Sequence, residues 1–389
     1  MIEKTPSGNR LHIGLFGRRN VGKSSLINAL TGQQVALVSN VAGTTTDPVM
    51  KAMEIHPLGP CVLIDTAGID DGGDLGMQRV ERTLKAVALC DIALLVTDCD
   101  RLGPSEQGLI QNFKNQGLPH LIVRNKADQS TARETETGDN MIPVSAVTMQ
   151  GLKLLLEEIA KLQPEQTPQS LVGRLAQRGD QVLLVMPQDP QAPKGRLILP
   201  QVQTLRDLID KGCMAQCCST AELPAALSHL TEPPHLIITD SQVFDTVEKL
   251  CPDGTMLTSF SVLMAAQKGD IDYFKSSAEA IGSLTPQSRV LIAEACTHAP
   301  LPEDIGREKI PRMLRTKIGN SLRIDTVAGK DFPDDLSPYD LVIHCGGCMF
   351  TRHFMLERIA QARRQHIPMT NYGIAIAYFK GILHKVALP

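Results

Sequence analysis

A glycine-rich run near the start of the chain has the spacing of a phosphate-binding loop. Residues 17–24 read Gly-Arg-Arg-Asn-Val-Gly-Lys-Ser and fit the pattern G-x-x-x-x-G-K-S. In such a loop, backbone N–H groups face the phosphates, and the N-terminus of the following helix adds its positive dipole. Lys23 would reach the β- and γ-phosphates, and the Ser24 hydroxyl would bind Mg²⁺. The expected contacts from this run are Gly17, Asn20, Gly22, Lys23, Ser24 and Ser25.

Three further short motifs follow apolar runs and predict that the nucleotide is GTP. In Asp-Thr-Ala-Gly, residues 65–68, Asp65 would hold Mg²⁺ through water and the Gly68 N–H would sense a γ-phosphate. In Asn-Lys-Ala-Asp, residues 125–128, the Asp128 carboxylate can accept hydrogen bonds from guanine N1–H and its 2-amino group, which adenine does not present in that arrangement. The other expected contacts with the base are Asn125, Lys126, Ser145 and Ala146.

The segment between the first two motifs is typical of a nucleotide-dependent switch. Residues 43–47 read Gly-Thr-Thr-Thr-Asp, and we expect Thr44 and Thr45 to contact Mg²⁺ and the γ-phosphate. Such a loop can become ordered with GTP and relax with GDP. Ile69, rather than a glutamine that could orient water, follows residue 68. Intrinsic hydrolysis should therefore be slow unless another group positions the water or supplies charge.

A second group of chemically active side chains lies near the C-terminus. Cys296-x-His298 follows a predicted strand at 289–293, and His-Cys-Gly-Gly-Cys at 344–348 follows one at 341–343. If these strands are parallel neighbours, both loops open at the same edge of the sheet. Three thiolates and one imidazole suit tetrahedral zinc, and three thiolates also hold three irons of a [4Fe–4S] cluster. The spacing leaves this choice open.

The other cysteines and the one dense basic stretch carry weaker signals. Seven of the ten cysteines lie outside the two motifs, and we expect most of them to be packing residues. Cys213, Cys217 and Cys218 are close together but have no histidine or acidic neighbours. The five cations between Arg307 and Lys317 could help to hold an anionic group or a partner, but a solvated helix face is the favoured interpretation.

The elements that must position these residues alternate between strands and helices. Near-continuous apolar runs at 11–16, 61–65, 92–97 and 121–125 predict strands buried on both faces of a parallel sheet, with helices at 23–30 and 78–89. After a proline-bearing stretch at 163–168, the alternation resumes, with strands expected at 181–186, 235–239 and 255–260. The fold class is therefore α/β: a P-loop domain with a mostly parallel sheet, followed by two smaller α/β domains.

Composition limits the function classes. The 389 residues carry a net charge of −3, only 3% are aromatic and tryptophan is absent, which argues against a nucleic-acid-binding protein. No apolar run reaches the roughly 18 residues of a membrane helix. The first ten residues lack the apolar core of a secretory signal, so a cytoplasmic location is expected.

The GTP-binding motifs resemble those of the translation-factor-related GTPases of the TrmE/Era type. In the potassium-activated members of that group, the asparagine at the position of Asn20 helps to bind K⁺, which occupies the place of an arginine finger. The resemblance implies K⁺-stimulated hydrolysis of GTP with Lys23, Asn20 and Thr45 as the catalytic residues.

The pairing of this GTPase pattern with the C-terminal cysteine motifs resembles the HydF family of [FeFe]-hydrogenase maturation GTPases. The resemblance covers the whole chain. It implies a GTP-binding domain at 1–163, a linker at 164–168, a dimerisation domain at 169–269 and an iron–sulfur cluster-binding domain at 270–389.

The resemblance also implies a homodimeric scaffold. Members bind a [4Fe–4S] cluster through the residues that correspond here to Cys296, Cys345 and Cys348, with His298 and His344 as ligands or close neighbours. They receive a diiron subcluster from two radical-SAM maturases and pass it to the hydrogenase apoprotein, with GTP hydrolysis as a switch for partner association. The alternative is an RNA-binding GTPase for ribosome or tRNA maturation with a structural zinc site, which the charge and the few aromatics disfavour.

Overall fold

The chain folds into two compact units, residues 1–166 and 167–389. A computed structural model describes residues 7–31, 49–66, 68, 83, 85–129, 141–163, 170–187, 197–295, 304–329 and 331–389. Within these ranges, every helix is too short or too polar to cross a bilayer.

The first unit is built on a six-stranded sheet in the order β2-β3-β1-β4-β5-β6. Neighbouring strands are parallel except for β2, which runs antiparallel to β3. All residues of β1 and β4 are buried, as their apolar runs predict. The strands are β1 (Leu11–Phe16), β2 (Val49–Ile55), β3 (Gly59–Asp65), β4 (Ile92–Thr97), β5 (His120–Arg124) and β6 (Met141–Pro143).

Three helices of this unit are described: α1 (Lys23–Thr31), α2 (Pro104–Asn115) and α3 (Leu152–Leu162). Proline at the first position of α2 lacks the N–H that would otherwise be unpaired there. The side chain of Glu106 then returns to accept the Gly103 N–H at 2.6 Å, which caps the helix. Half of the helix predicted at 78–89 lies outside the described residues, and residues 85–87 are helical.

The second unit contains two four-stranded sheets, both parallel throughout. The middle sheet has the order β10-β9-β7-β8 and the C-terminal sheet has the order β12-β11-β13-β14. The middle strands are β7 (Gln181–Val185), β8 (Met214–Cys218), β9 (Leu236–Thr239) and β10 (Met256–Ser259). The C-terminal strands are β11 (Arg289–Glu294), β12 (Arg323–Ala328), β13 (Leu341–His344) and β14 (Met369–Asn371).

Helices connect these strands, as parallel sheets require. Those of the middle part are α4 (Leu199–Asp210), α5 (Leu223–Ser228), α6 (Phe244–Leu250) and α7 (Phe260–Lys268). Those of the C-terminal part are α8 (Ile271–Ser277), α9 (Ile310–Ile318), α10 (Arg352–Arg364) and α11 (Tyr372–Phe379). One turn of π-helix, Ile305–Lys309, precedes α9.

The two sheets of the second unit share an apolar core. A single buried cluster contains Ile237 and Val262 from the middle part together with Ile292 and Ile376 from the C-terminal part. Close to the C-terminus, the chain returns to the middle sheet, where Ala387 N–H donates to Leu257 O at 2.8 Å beside β10. The domains expected at 169–269 and 270–389 therefore pack as one body.

Candidate functional site

The phosphate-binding loop follows the carboxyl end of β1. Backbone carbonyl groups of this loop accept hydrogen bonds from the Lys23 ammonium. Lys23 Nζ donates to Gly17 O at 2.9 Å and to Arg18 O at 2.8 Å. The Ser24 hydroxyl donates to Asp65 Oδ2 at 2.5 Å. Burial raises the pKa of Asp65, while Ser24 and Lys23 oppose that shift. The two expected Mg²⁺ groups thus lie side by side at adjacent strand ends.

The carboxyl ends of β5 and β6 carry the expected base pocket, and the Asn125 amide joins it to the phosphate loop. Asn125 Nδ2 donates to Val21 O at 2.9 Å, and its Oδ1 accepts Ala146 N–H at 3.1 Å. Ser145 Oγ accepts the N–H groups of residues 147 and 148, which fixes the loop after β6. Lys126 Nζ donates to Asp98 Oδ2 at 2.8 Å, and Asp128 is exposed at the edge.

The remaining predicted nucleotide contacts divide into two groups. Asn20, Ser24 and Ser25 are exposed, and Asn20 has a positive φ of 62°. Gly68 is described, whereas Thr44 and Thr45 lie outside the described residues.

The sequence analysis missed one contact of the phosphate loop with the strand end beside it. Arg18 donates from Nη2 to Cys99 Sγ at 3.0 Å and from Nε to the buried Glu106 Oε1 at 3.1 Å. Since Glu106 also caps α2, this arginine ties the phosphate loop to that helix.

The two cysteine motifs leave neighbouring strands. β11 and β13 are parallel, with Ala293 opposite His344 in register, so both loops open at the same edge of the C-terminal sheet. Cys345 N–H donates to Ala293 O at 2.9 Å, and Ala295 N–H donates to Cys345 Sγ at 3.0 Å. Cys296 and His298 lie outside the described residues. Of the five predicted metal residues, the structure therefore describes His344, Cys345 and Cys348.

The loop between Cys345 and Cys348 requires glycine at position 347. Gly347 has a φ of 64°, and a Cβ built on it would lie 2.7 Å from Met355 Sδ of α10. A Cβ on Gly346 would lie 3.4 Å from Met264 of α7. Cys348 packs against the core of the middle sheet. Both halves of the second unit thus form the walls of the loop.

His344 is fully buried, and both of its ring nitrogens lie within hydrogen-bonding distance of a neighbour. Nδ1 is 2.8 Å from Cys345 O, and Nε2 is 2.7 Å from Arg358 Nη1. Burial, reinforced by the Arg358 charge, lowers the pKa of His344 to about 3, so the imidazole is neutral at physiological pH. Asn371 Nδ2 donates to His344 O at 3.3 Å and holds the end of β13 from the other side.

The surroundings of Cys345 offer hydrogen-bond donors, which suit an anionic group. Arg358 Nε and the Tyr372 hydroxyl are buried and have no hydrogen-bond partner among the described residues. Burial lowers the pKa of Arg358 to about 10 and raises that of Tyr372, and the negative charge of a Cys345 thiolate raises the pKa of both groups. Thiolates bound to iron or zinc are negatively charged, so these residues fit a metal–thiolate centre. The described residues contain no complete set of three ligands, since Cys296 and His298 lie outside them.

Arg358 and Tyr372 could not be identified directly from the sequence. A faint signal was present, because Arg358 stands at the i+4 position from Phe354 on the buried face of α10, where an apolar residue is normal.

Two expectations for the weaker signals need correction. Cys217 is exposed because β8 is an edge strand, so it is not a packing residue, whereas Cys61 and Cys90 are buried as expected. The five cations from Arg307 to Lys317 are not one solvated face, since two of them have partners: Arg307 Nε donates to Glu294 Oε2 at 3.1 Å, and Lys309 donates to Gln242. Arg312, Arg315 and Lys317 are exposed.

Comparison with models of protein families identifies three matched regions that together span most of the chain. Residues 12–126 match a family described as 50S ribosome-binding GTPase. Residues 171–269 match the hydrogen maturase F dimerization domain, and residues 272–389 match the hydrogen maturase F tetramerization domain. The chain belongs to the hydrogen maturase F (HydF) family. A tetramerization role for the C-terminal part of a HydF chain is one that the sequence analysis did not predict.

Two curated relatives, both GTPases, each resemble less than half of this chain. The tRNA modification GTPase MnmE of Janthinobacterium sp. is 39% identical over 161 residues, which cover 39% of this chain and 34% of MnmE. GTPase Der of Wolinella succinogenes is 45% identical over 135 residues, which cover 33% of this chain and 27% of Der. The chain thus spans only about a third of the length of these relatives.

Two solved structures show weaker overall similarity. Era from Aquifex aeolicus, bound to GDP and AlF4⁻, has a TM-score of 0.35 and 21% identity, with 54% of this chain and 92% of Era covered. The G domain of the T. maritima FeoB iron transporter has a TM-score of 0.32 and 23% identity, with 40% of this chain and 100% of the G domain covered.

Proposed function

We propose that this HydF chain is a GTP-hydrolysing scaffold that binds a [4Fe–4S] cluster and delivers the diiron subcluster of [FeFe]-hydrogenase. The observation that carries the proposal is the parallel pairing of β11 with β13, the two strands that the cysteine motifs follow in the sequence, in a chain of this family. Cys296, Cys345 and Cys348 are the proposed iron ligands. A bound cluster supplies an iron with an exchangeable position, and the chain supplies the thiolates and the donors around Cys345.

GTP hydrolysis would serve as a switch in this scheme, with no chemistry on the cluster. The GTPase domain supports binding of GTP and Mg²⁺, and the Ser24–Asp65 contact lies where Mg²⁺ would join the phosphates. We assign K⁺ to the exposed Asn20, with Thr45 and Lys23 completing the catalytic group. The proposed partners are a second copy of the chain, the radical-SAM maturases and the hydrogenase apoprotein.

Anaerobic reconstitution with iron and sulfide, followed by EPR spectroscopy of the reduced protein, tests the cluster. We expect about four irons per chain and a signal typical of a reduced [4Fe–4S] centre. Cys345→Ser should lose the cluster and keep GTP hydrolysis, whereas the control Cys217→Ser, altered at an exposed edge strand, should keep both. A colourless protein with one zinc per chain would refute the proposal.

An RNA-binding role is the second candidate, because MnmE is a tRNA modification GTPase and shares the GTPase part. Filter binding with total cellular RNA separates the two. We expect no retention of RNA at physiological salt, in line with the net charge of −3. Salt-sensitive binding by a protein that holds zinc would favour the second candidate.

A further inference from the structure

The guanidinium of Arg358 is buried behind the cysteine loop. The residue is 4% exposed and projects from α10 toward β13. Nη1 donates to His344 Nε2 at 2.7 Å and Nη2 donates to Gly329 O at 2.6 Å, while Nε has no partner among the residues that the structure describes. Two bonds to neutral acceptors leave part of this cation's hydrogen-bonding capacity unused.

Three phenyl rings surround the same guanidinium. Its central carbon lies 4.6 Å from the Phe332 ring centroid, 4.8 Å from that of Phe350 and 4.7 Å from that of Phe354. Ring faces attract a cation, but they do not neutralise its charge. In the part of the chain that the structure describes, no carboxylate forms an ion pair with Arg358; burial lowers its pKa to about 10, and Cys345 and the exposed Asp331 oppose that shift.

A buried cation without a carboxylate partner costs stability, so its presence calls for an anion that binds later. The guanidinium contacts His344 Nε2 at 2.7 Å, and His344 Nδ1 lies 2.8 Å from the carbonyl oxygen of Cys345, a proposed iron ligand. A [4Fe–4S] cluster held by three thiolates has a net negative charge in both its oxidised and its reduced form. Such a cluster would supply the missing countercharge beside the guanidinium.

The contacts of His344 argue against its being an iron ligand. An arginine can only donate, so Nε2 accepts from Nη1 and is unprotonated. The proton of the neutral ring is then on Nδ1, which donates to Cys345 O. Neither nitrogen has a lone pair free for a metal while Arg358 is in place.

We propose that Arg358 is a positioning residue for the cluster, that it fixes the Cys345 peptide through a non-ligating His344, and that its charge balances the metal–thiolate centre. This inference rests on the proposed function, since it needs a cluster at these cysteines. It makes the His344–Arg358 pair an orienting group, whose loss in metal sites commonly lowers affinity 10- to 100-fold.

The substitution Arg358→Met separates this role from a structural one. It removes the charge and keeps an unbranched apolar side chain among the rings. Because the charge is uncompensated without the cluster, the apoprotein should melt at or above the wild-type temperature. Iron affinity should fall 10- to 100-fold, and the midpoint potential of any bound cluster should become more negative, because the reduced cluster loses a nearby positive charge.

Two variants serve as controls. Arg363→Met lies on the same helix and has a ring contact at 4.3 Å to Tyr273, but its charge is already paired with Asp270 at 2.6 Å. It should bind iron with wild-type affinity and potential. Arg358→Lys keeps the charge but not both bonds, so it should keep a near-wild-type potential while iron affinity falls. If Arg358→Met does not fold, the iron affinity and midpoint potential of Arg358→Lys provide the test.

The outcomes are distinct for the two proposals. If the wild-type protein holds no [4Fe–4S] cluster, the proposed function fails. If it loads a cluster and Arg358→Met matches it in iron affinity and potential, the inference is overturned while the function stands. A nitrogen hyperfine coupling in the reduced wild-type protein that disappears in His344→Gln and survives in Arg358→Met would show that His344 ligates iron, which also overturns the inference.

Discussion

The buried amide of Asn125 allows a quantitative test of the nucleotide site. The residue is 3% exposed and makes one hydrogen bond of 2.9 Å to Val21 O and one of 3.1 Å from Ala146 N–H. Asn125→Ala removes both bonds, each worth about 1 kcal/mol net, and leaves the buried Val21 carbonyl and the half-buried Ala146 N–H with fewer partners. We therefore expect the unfolding free energy of the GTPase unit to fall by about 3 kcal/mol.

For a unit of this size, that loss corresponds to a decrease in Tm of roughly 6–12 °C. Thermal unfolding without nucleotide measures it directly. Affinity for a non-hydrolysable GTP analogue should fall about tenfold or more, because the phosphate loop and the base loop are no longer joined. Asn115→Ala is the matched control, since that side chain is exposed and only accepts a surface bond from Gln111. If Asn125→Ala melts as this control does, the amide bridge contributes nothing and the argument is wrong.

Three further predictions concern single substitutions. Asp128→Asn removes the carboxylate that would accept two guanine N–H groups, so GTP affinity should fall about 10²- to 10⁴-fold and competition binding should favour xanthosine triphosphate; unchanged GTP selectivity would contradict the base assignment. Asn20→Ala should remove the faster GTP turnover expected in KCl than in NaCl at equal ionic strength, and a variant that keeps this difference would exclude Asn20 as the K⁺ group. Gly347→Ala should lower the unfolding free energy by about 1–3 kcal/mol more than Gly381→Ala, because both have positive φ but only the first meets a neighbouring side chain; equal losses of Tm would argue against the close contact with Met355.

The strands that could be predicted from the sequence are those whose burial leaves a visible pattern in consecutive residues. β1 and β4 are buried on both faces, so they appear as unbroken apolar runs. β2 and β8 were not predicted because they lie at sheet edges, where exposure interrupts the pattern that marks a buried strand. β14 has only three residues, too few for any periodicity to be visible.

The nucleotide site and the cysteine site also differ in how much of each could be predicted from consecutive residues. The nucleotide contacts lie in short loops whose residues are consecutive, so the phosphate loop and the base motifs could be named from sequence alone. Arg358 is 14 positions from His344 and lies on a helix rich in charges, where one more arginine predicts only a solvated residue. Its burial depends on three phenyl rings that the fold brings together from separate segments. The surroundings of Arg358 are formed by tertiary packing, which cannot be read from the sequence.

The shared core of the second unit has a consequence for how such chains evolve. The two hydrogen maturase F matches end and begin at residues 269 and 272, yet Arg352 donates to the carbonyls of Gln267 and Gly269 across that boundary. The last residues of the chain also extend the edge of the middle sheet beside Leu257. A recombination event at this boundary would split one apolar core and expose both halves to water. Exchange of either region alone would therefore change the packing available to the cysteine loop.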